Sequence, residues 1–201
     1  SQYEFIEATI EGGDPQTVDT TFCYDTASAE LIMNVYDTLI TFDAEHMDRY
    51  LPSAATEWII EELPAGTTSP EGLTWYFRYS FKIREGMKWH DPAFGTVKPE
   101  DVEYSIERGM AMDMTGGPQW MFYEPLLNSW GVEGVGDPTN ETEAIMIGKK
   151  IDHAVESNAT HVWFNLAFAG AYAPFMQILS QSWSSIYCKA WANSLGLSLI
   201  H

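Results

Sequence analysis

The sequence predicts an α+β fold, a mixed β-sheet with flanking helices, and three observations carry that prediction. Residues 73–84, LTWYFRYSFKIR, alternate apolar and polar side chains without a break, the period of a strand with one buried face. Residues 99–110, PEDVEYSIERGM, open with a proline and two acids and keep Val102 and Ile106 on one side. Those are the marks of a helix start and of an apolar helical stripe. Around them, extended and helical patterns follow one another in no strict β-α-β alternation. A chain of 201 residues is long enough for one large domain or two small subdomains with a sizeable core.

Taken in order, YEFIEATIEGG is rich in β-branched and aromatic residues and ends in a glycine pair, which predicts a strand and a turn. DPQTVDTTFCYDTAS reads as an irregular loop, with Asp14-Pro15 starting a turn. From Ser28 the period changes: Leu31, Ile32, Val35, Tyr36 and Leu39 fall at helical spacing. Asp25, Thr26 or Ser28 can cap this helix, and its end is expected near Asp37, before a short extended TLITFD. YLPSAATEWIIEEL predicts one helical turn after Pro52 and a strand from Trp58 to Ile60, followed by the turn-rich PAGTTSPEG.

In the alternating segment, Leu73, Trp75, Phe77, Tyr79, Phe81 and Ile83 make the buried face. The helix opened by Pro99 has Gly109 as its expected terminator. The stretch from AMDMTGG to DPTNE reads as a loop with room for a helical turn at Trp120 to Leu127. IDHAVES and THVWFNLAF predict two strands joined by a tight SNA turn. YAPFMQILS predicts a short amphipathic helix and SSIYCKA a strand, and the tail trails off from Gly196.

Composition narrows the function classes. Hydrophobic residues at 45% and charged residues at 19% describe a globular chain. Aromatics at 14% call for a ring-rich core or a ring-lined binding surface. A formal net charge of -19 repels a phosphate backbone, so nucleic acid is excluded as a partner. No apolar run reaches the length of a membrane span, and no signal peptide precedes Ser1. The chain is expected to be a mature or trimmed form, or a cytoplasmic protein. Cys23 and Cys188 do not make a disulfide framework, and their pairing stays open. Asn140 and Asn158 begin glycosylation sequons that matter only in a glycosylating host.

Catalytic and metal motifs are scarce. His90-Asp91 could belong to an acid–base pair, but no GxSxG, HExxH or HxH accompanies it, and Pro92 follows at once. The expected role of MKWHDP is structural, closing the long strand. Asp43, Glu45, His46 and Asp48 cluster in DAEHMDRY without the glycine of an EF-hand loop, and a solvated acidic loop is expected. No metal or other cofactor is expected. Trp120, Phe122 and Tyr123 in GGPQWMFYEPL suit either a ligand cleft or packing under a loop.

Five segments then fall into a known order: DPQTVD, NVYDTLITFD, YLPSAATEW, TWYFRYSFKIREGMKWHDP and KPEDVEYSIERGM. This series resembles the amino-terminal part of the family 5 solute-binding proteins, the dipeptide- and oligopeptide-binding receptors of ABC importers. Arg84 to Asp91 is similar to the family element R-x-G-V-K-F-H-D, and Asp101 to Arg108 to D-V-x-Y-S-x-x-R. VWFNLAFAGAYAPFMQILS is similar to the segment that follows in the family. Pro92 stands where the family usually has glycine, AFGTV is a different insertion, and members are much longer.

The resemblance implies the first lobe of a class II periplasmic-binding-protein-like fold. It spans 1–201, with a sheet subdomain of 1–24 plus 150–201, an inserted subdomain of 25–149, and the second lobe absent. It implies the solute-binding component of an importer, with a peptide or other small solute and an ABC transporter membrane permease as partners. Its place would be periplasmic or extracellular, associated with the cell surface. By position, Thr20, Thr21, Phe22, Cys23 and Tyr24, and Gln119, Trp120 and Tyr123 of the ring-bearing loop, would face the ligand. His90 and Asp91 would end a β strand without chemistry. Oligosaccharides and metal chelates are alternative solutes, and a non-catalytic interaction module or an enzyme using His90 with Asp91 or Asp101 are alternative functions. A lone lobe would bind solute weakly, and its exposed inter-lobe face would invite homodimers.

Overall fold

The computed structural model describes residues 13–46, 48–112, 117–170 and 174–196. The strand expected over YEFIEATIEGG lies, but for Gly13, outside them. Residues 13–25 form the expected irregular loop, held by Ser28 Oγ, which accepts the N–H groups of Gln16 at 2.9 Å and Thr17 at 3.1 Å. Helix α1, Thr26–Val35, follows with Asp25 as its N-cap, the carboxylate accepting Ser28 N–H at 2.8 Å. We predict that Asp25→Ala lowers stability by about 1 kcal/mol through loss of this cap. Urea unfolding checks it, and an unchanged midpoint would show that the cap is dispensable.

Strands β1, Ile40–Phe42, and β2, Tyr50–Pro52, form a two-stranded antiparallel hairpin. No helical turn follows Pro52. Ser53, Ala54 and Ala55 instead donate to the carbonyls of Leu39, Thr38 and Leu39, which draws the chain straight into β3, Ala55–Glu62. Strand β4, Phe77–Ile83, is the alternating segment, with Tyr79, Phe81 and Ile83 buried and Ser80 and Lys82 on the wetter face.

Helix α2, Pro99–Ala111, runs past Gly109, which therefore is not a terminator. A Cβ at Gly109 would stand 2.5 Å from Gln119 Oε1, so glycine is needed there for the close approach of another segment. Trp120–Leu127 is helix α3. Beyond it the sequence reading missed α4, Glu141–Ala154, whose N-cap Asn140 accepts the N–H groups of Thr142 and Glu143. IDHA therefore ends a helix, and β5 is the short Val155–Ser157. Strand β6, His161–Leu166, and helix α5, Pro174–Leu179, match the expectations for THVWFNLAF and YAPFMQILS.

SSIYCKA is not a strand. Ile186 N–H donates to Asp37 O, Tyr187 N–H to Ser105 Oγ and Lys189 N–H to Asp101 Oδ1, so three unrelated acceptors replace a ladder. Helix α6, Lys189–Ser194, starts directly after it, with Cys188 Sγ accepting Trp191 N–H at 3.4 Å.

The mixed α+β class stands. Among the described residues the main sheet has the order β3-β4-β6-β5 and is antiparallel at every pairing, where the sequence suggested a mixed sheet. One face carries Tyr79, Phe81, Val162, Phe164 and Leu166, packed with Ile106, Leu126, Ile151 and Phe175 from the helices. Phe164 meets Phe81 and Phe175 edge-on at 5.8 and 5.4 Å, and Tyr79 meets Phe175 at 5.2 Å. Such ring pairs add about 0.5–1.5 kcal/mol each to the burial of their area. The opposite face is polar: Arg78 Nε donates to Asn165 Oδ1 at 2.8 Å, and Asn165 Nδ2 and Trp163 Nε1 donate to Glu156 Oε2.

Candidate functional site

Helix α2 is buried nearly all round although a third kind of face, a polar one, is written into its sequence. Three of its polar residues hold other parts of the chain. Asp101 accepts Lys98 N–H at 2.8 Å and Lys189 N–H at 2.9 Å. Ser105 Oγ accepts Tyr187 N–H at 2.7 Å. Arg108, 3% exposed, reaches the loop before α1. Its NH1 donates to Asp19 Oδ1 at 2.9 Å and to Thr21 Oγ1 at 2.5 Å, and its NH2 to Asp19 Oδ2 at 2.7 Å. The residues Asp101, Ser105 and Arg108, which carry the D-V-x-Y-S-x-x-R resemblance, are thus the ones that fasten two distant segments, the run from Tyr187 to Lys189 and the loop from Asp19 to Thr21, to one helix.

Around Asp19 the loop closes into a tight turn. Thr21 N–H donates to Asp19 Oδ1 and Phe22 N–H to Asp19 O. The Tyr187 hydroxyl donates to Asp19 Oδ1 at 3.0 Å and accepts Thr20 N–H at 3.0 Å. The Arg108 guanidinium lies 5.2 Å from the centre of the Tyr187 ring, and Tyr36 packs on that ring at 5.4 Å. Burial acts to raise the Asp19 carboxyl, but the bonds from Arg108 and Thr21 N–H and the Arg108 charge outweigh it and hold the carboxyl below its ordinary range. Arg108 is in turn raised, chiefly by its bond to Asp19.

The two segments singled out for ligand contact meet here. Gln119, at the start of α3, donates from Nε2 to Thr21 O at 3.4 Å. Individual side chains are placed very differently. Thr20, Thr21, Cys23, Gln119 and Tyr123 are buried, Phe22 is half-buried, and Tyr24 and Trp120 are 56% and 37% exposed. Tyr123 donates to Met110 O at 2.7 Å. Cys23 Sγ lies 3.8 Å from Ser182 Oγ, and both cysteines are free thiols. Asp19, Arg108 and Tyr187 were not among the residues picked from sequence. A lone arginine in a helix with apolar neighbours was the available signal, because a buried guanidinium demands an acid.

His90 and Asp91 lie beyond the end of β4, in a loop pinched by the bridge between Lys88 and Thr96, and not at a strand end. His90 is exposed, and Asp91 Oδ1 accepts Ala93 N–H at 2.9 Å to cap a short 3-10 turn. Both border an apolar pocket of about 420 Å³ that Tyr36, Trp89, Ile186, Tyr187 and Trp191 also line. Among the described residues no group of three or more His, Cys, Asp or Glu side chains is placed to hold a metal ion.

This fold is that of part of the periplasmic peptide-binding proteins of ABC importers, and the resemblance read from the sequence holds in three dimensions. The chain is 25% identical, over 198 aligned residues, to the dipeptide-binding protein of Escherichia coli K12, covering 94% of this chain and 30% of that protein. Among solved structures it is similar to the periplasmic binding protein DppA of Helicobacter pylori in complex with the peptide STSA, at 23% identity and a TM-score of 0.55. That match covers 92% of this chain and 31% of the other. A periplasmic oligopeptide-binding protein of Borrelia burgdorferi gives a TM-score of 0.63 at 15% identity, covering 92% and 32%. Haemophilus influenzae OppA in complex with RPPGFSPFR gives 0.61 at 18%, covering 92% and 31%. No protein-family model matches the chain. The chain spans about 30% of the length of the relative it matches in sequence.

Proposed function

We propose that this chain binds a peptide as part of the solute-binding component of an ABC-type import system, and that it acts by binding without catalysis. The observation that carries the reading is the meeting of the Thr20–Tyr24 loop with the start of α3 through Gln119 and Thr21. Both segments also expose a ring, Tyr24 and Trp120. Exposed tyrosine and tryptophan offer rigid apolar faces with a polar edge, suited to peptide side chains, while an extended peptide adds backbone hydrogen bonds as a strand would. The relatives are named for peptide binding, which supports the solute class. Work of this kind belongs outside the cytoplasmic membrane, in the periplasm or at the cell surface, with a membrane permease as partner. No helix of the described residues is long and apolar enough to cross a membrane.

The test is native mass spectrometry after incubation with an equimolar set of dipeptides, tripeptides and maltose, which also reads homodimers. The expected result is retention of peptide, with Tyr24→Ala and Trp120→Ala each weakening it about tenfold, as for ring anchors at an interface. Retention of maltose alone would move the solute class to oligosaccharides. A folded protein that retains nothing would sink the reading.

A further inference from the structure

Resting on the peptide-binding reading above, we propose that Tyr187, Arg108 and Asp19 are positioning residues that turn the N–H groups of Thr20, Thr21 and Phe22 inward, leaving the backbone of Tyr24 as the edge that an extended peptide meets. The N–H of Thr20 is taken by the Tyr187 hydroxyl, that of Thr21 by Asp19 Oδ1 and that of Phe22 by Asp19 O. None of the three can donate to a ligand while this turn is closed. Thr21 Oγ1 is also engaged, accepting from Arg108, and Thr21 O accepts from Gln119. At Tyr24 the situation reverses. The residue is 56% exposed, and its N–H and C=O have no hydrogen-bond partner among the described residues. A backbone N–H and C=O left without partners on one exposed residue are the unit that strand addition uses.

The clamp is held from two distant parts of the chain. Arg108 comes from α2 and fixes both carboxylate oxygens of Asp19. Tyr187 comes from the extended segment before α6, itself tied to α2 by Ser105. Among the described residues the Tyr187 hydroxyl is the single group that touches both the carboxylate and the Thr20 N–H, so its removal frees the loop while its ring stays packed on Tyr36.

Tyr187→Phe tests this directly. Isothermal titration would use the tightest peptide of the set above and its analogues N-methylated at one residue at a time. The wild-type protein is expected to reject one N-methylated analogue by tenfold or more, because the methyl group blocks the bond to the Tyr24 edge. In Tyr187→Phe that preference should fall to within about twofold, and the parent peptide should bind about tenfold more weakly. Arg108→Lys should restore part of the preference that Arg108→Met loses. A change in stability alone would leave the preference intact. An unchanged preference in folded Tyr187→Phe overturns the positioning role while leaving peptide binding standing. Wild-type protein that binds the parent and every analogue equally overturns the Tyr24 edge. Absence of any peptide binding by folded wild-type protein removes the peptide-binding reading first, and this inference with it.

Discussion

Replacement of Arg108 by methionine is expected to cost about 2–3 kcal/mol of stability, below the roughly 3–5 kcal/mol for stranding one partner of a fully buried ion pair, because the Asp19 side chain is 28% exposed and keeps its bonds from Thr21 N–H and the Tyr187 hydroxyl. Methionine fills much of the volume of the arginine stem but leaves the Asp19 carboxylate facing the space of a guanidinium that is 3% exposed in its side chain. The loss is larger than for a surface pair because Arg108 makes three bonds at once, two to Asp19 and one to Thr21 Oγ1. Lysine keeps the charge but lacks the planar fork, so Arg108→Lys should fall between wild type and methionine. The second-site change Asp19→Asn supplies the control. An asparagine Oδ1 still accepts the Thr21 N–H and the Tyr187 hydroxyl, while the unpaired charge is gone. Urea unfolding of the single and double variants should therefore show Arg108→Met/Asp19→Asn recovering a large part of the loss. If Arg108→Met lies within about 1 kcal/mol of wild type, the ion pair is not what holds the loop to α2.

How far the fold could be read from sequence depended on how cleanly each element buries one face. Strand β4 was legible because Tyr79, Phe81 and Ile83 face the core and every intervening residue does not. Strand β3 was half legible: among the described residues it lies at the edge of the sheet, and Ile59 and Ile60 are 65% and 45% exposed, so its apolar residues mark no single face. Helix α4 escaped for a similar reason. Its buried stripe is Ile147, Ile151 and Ala154, but Ile145 and Met146 are exposed and blur the period, and Gly148 interrupts it. The extended run at Ser185 to Cys188 has strand-like residues but takes its hydrogen bonds from a helix and a loop, which local pattern does not reveal.

For the candidate site, the resemblance singled out two segments that lie far apart in the sequence and that touch in the fold, through Gln119 and Thr21. What it did not expose is the division of labour inside them. Thr20 and Thr21 have small polar side chains that suit a ligand contact on paper, yet both are buried under bonds from Tyr187, Asp19 and Arg108. Tyr187 stands 168 residues from Asp19, and a hydrogen bond between residues so far apart leaves no spacing pattern to read. Glycine 109 shows the same limit: its position near the end of a helical pattern suggested a stop, whereas the reason for it lies in Gln119, part of another segment.

A second large effect is expected at alkaline pH, and Glu107 is its source. This residue is 6% exposed on α2, and its Oε1 has no hydrogen-bond partner among the described residues. Burial, then the charges of Glu103 and Asp152, push its carboxyl from an ordinary value of 4.5 up to about 9, against a lowering pull from Lys189. The folded protein therefore keeps a proton that the unfolded chain has already released. In that interval the native state binds more protons, so stability is full below about pH 4.5 and falls as pH rises, by about 1.4 kcal/mol per pH unit for this one group. The loss is complete once pH exceeds about 9. Burial also raises Asp101 and Glu103, which adds to the same slope at its acidic end, whereas Asp19 is lowered and contributes stability that is lost only in stronger acid. Glu107→Gln keeps the shape and neutrality of the protonated acid at every pH. Urea unfolding at pH 5, 7 and 9 should show the variant close to wild type at pH 5 and progressively more stable than wild type above it. Parallel profiles for the two proteins would mean that Glu107 ionises in the folded state near its ordinary value and that Lys189 compensates its charge.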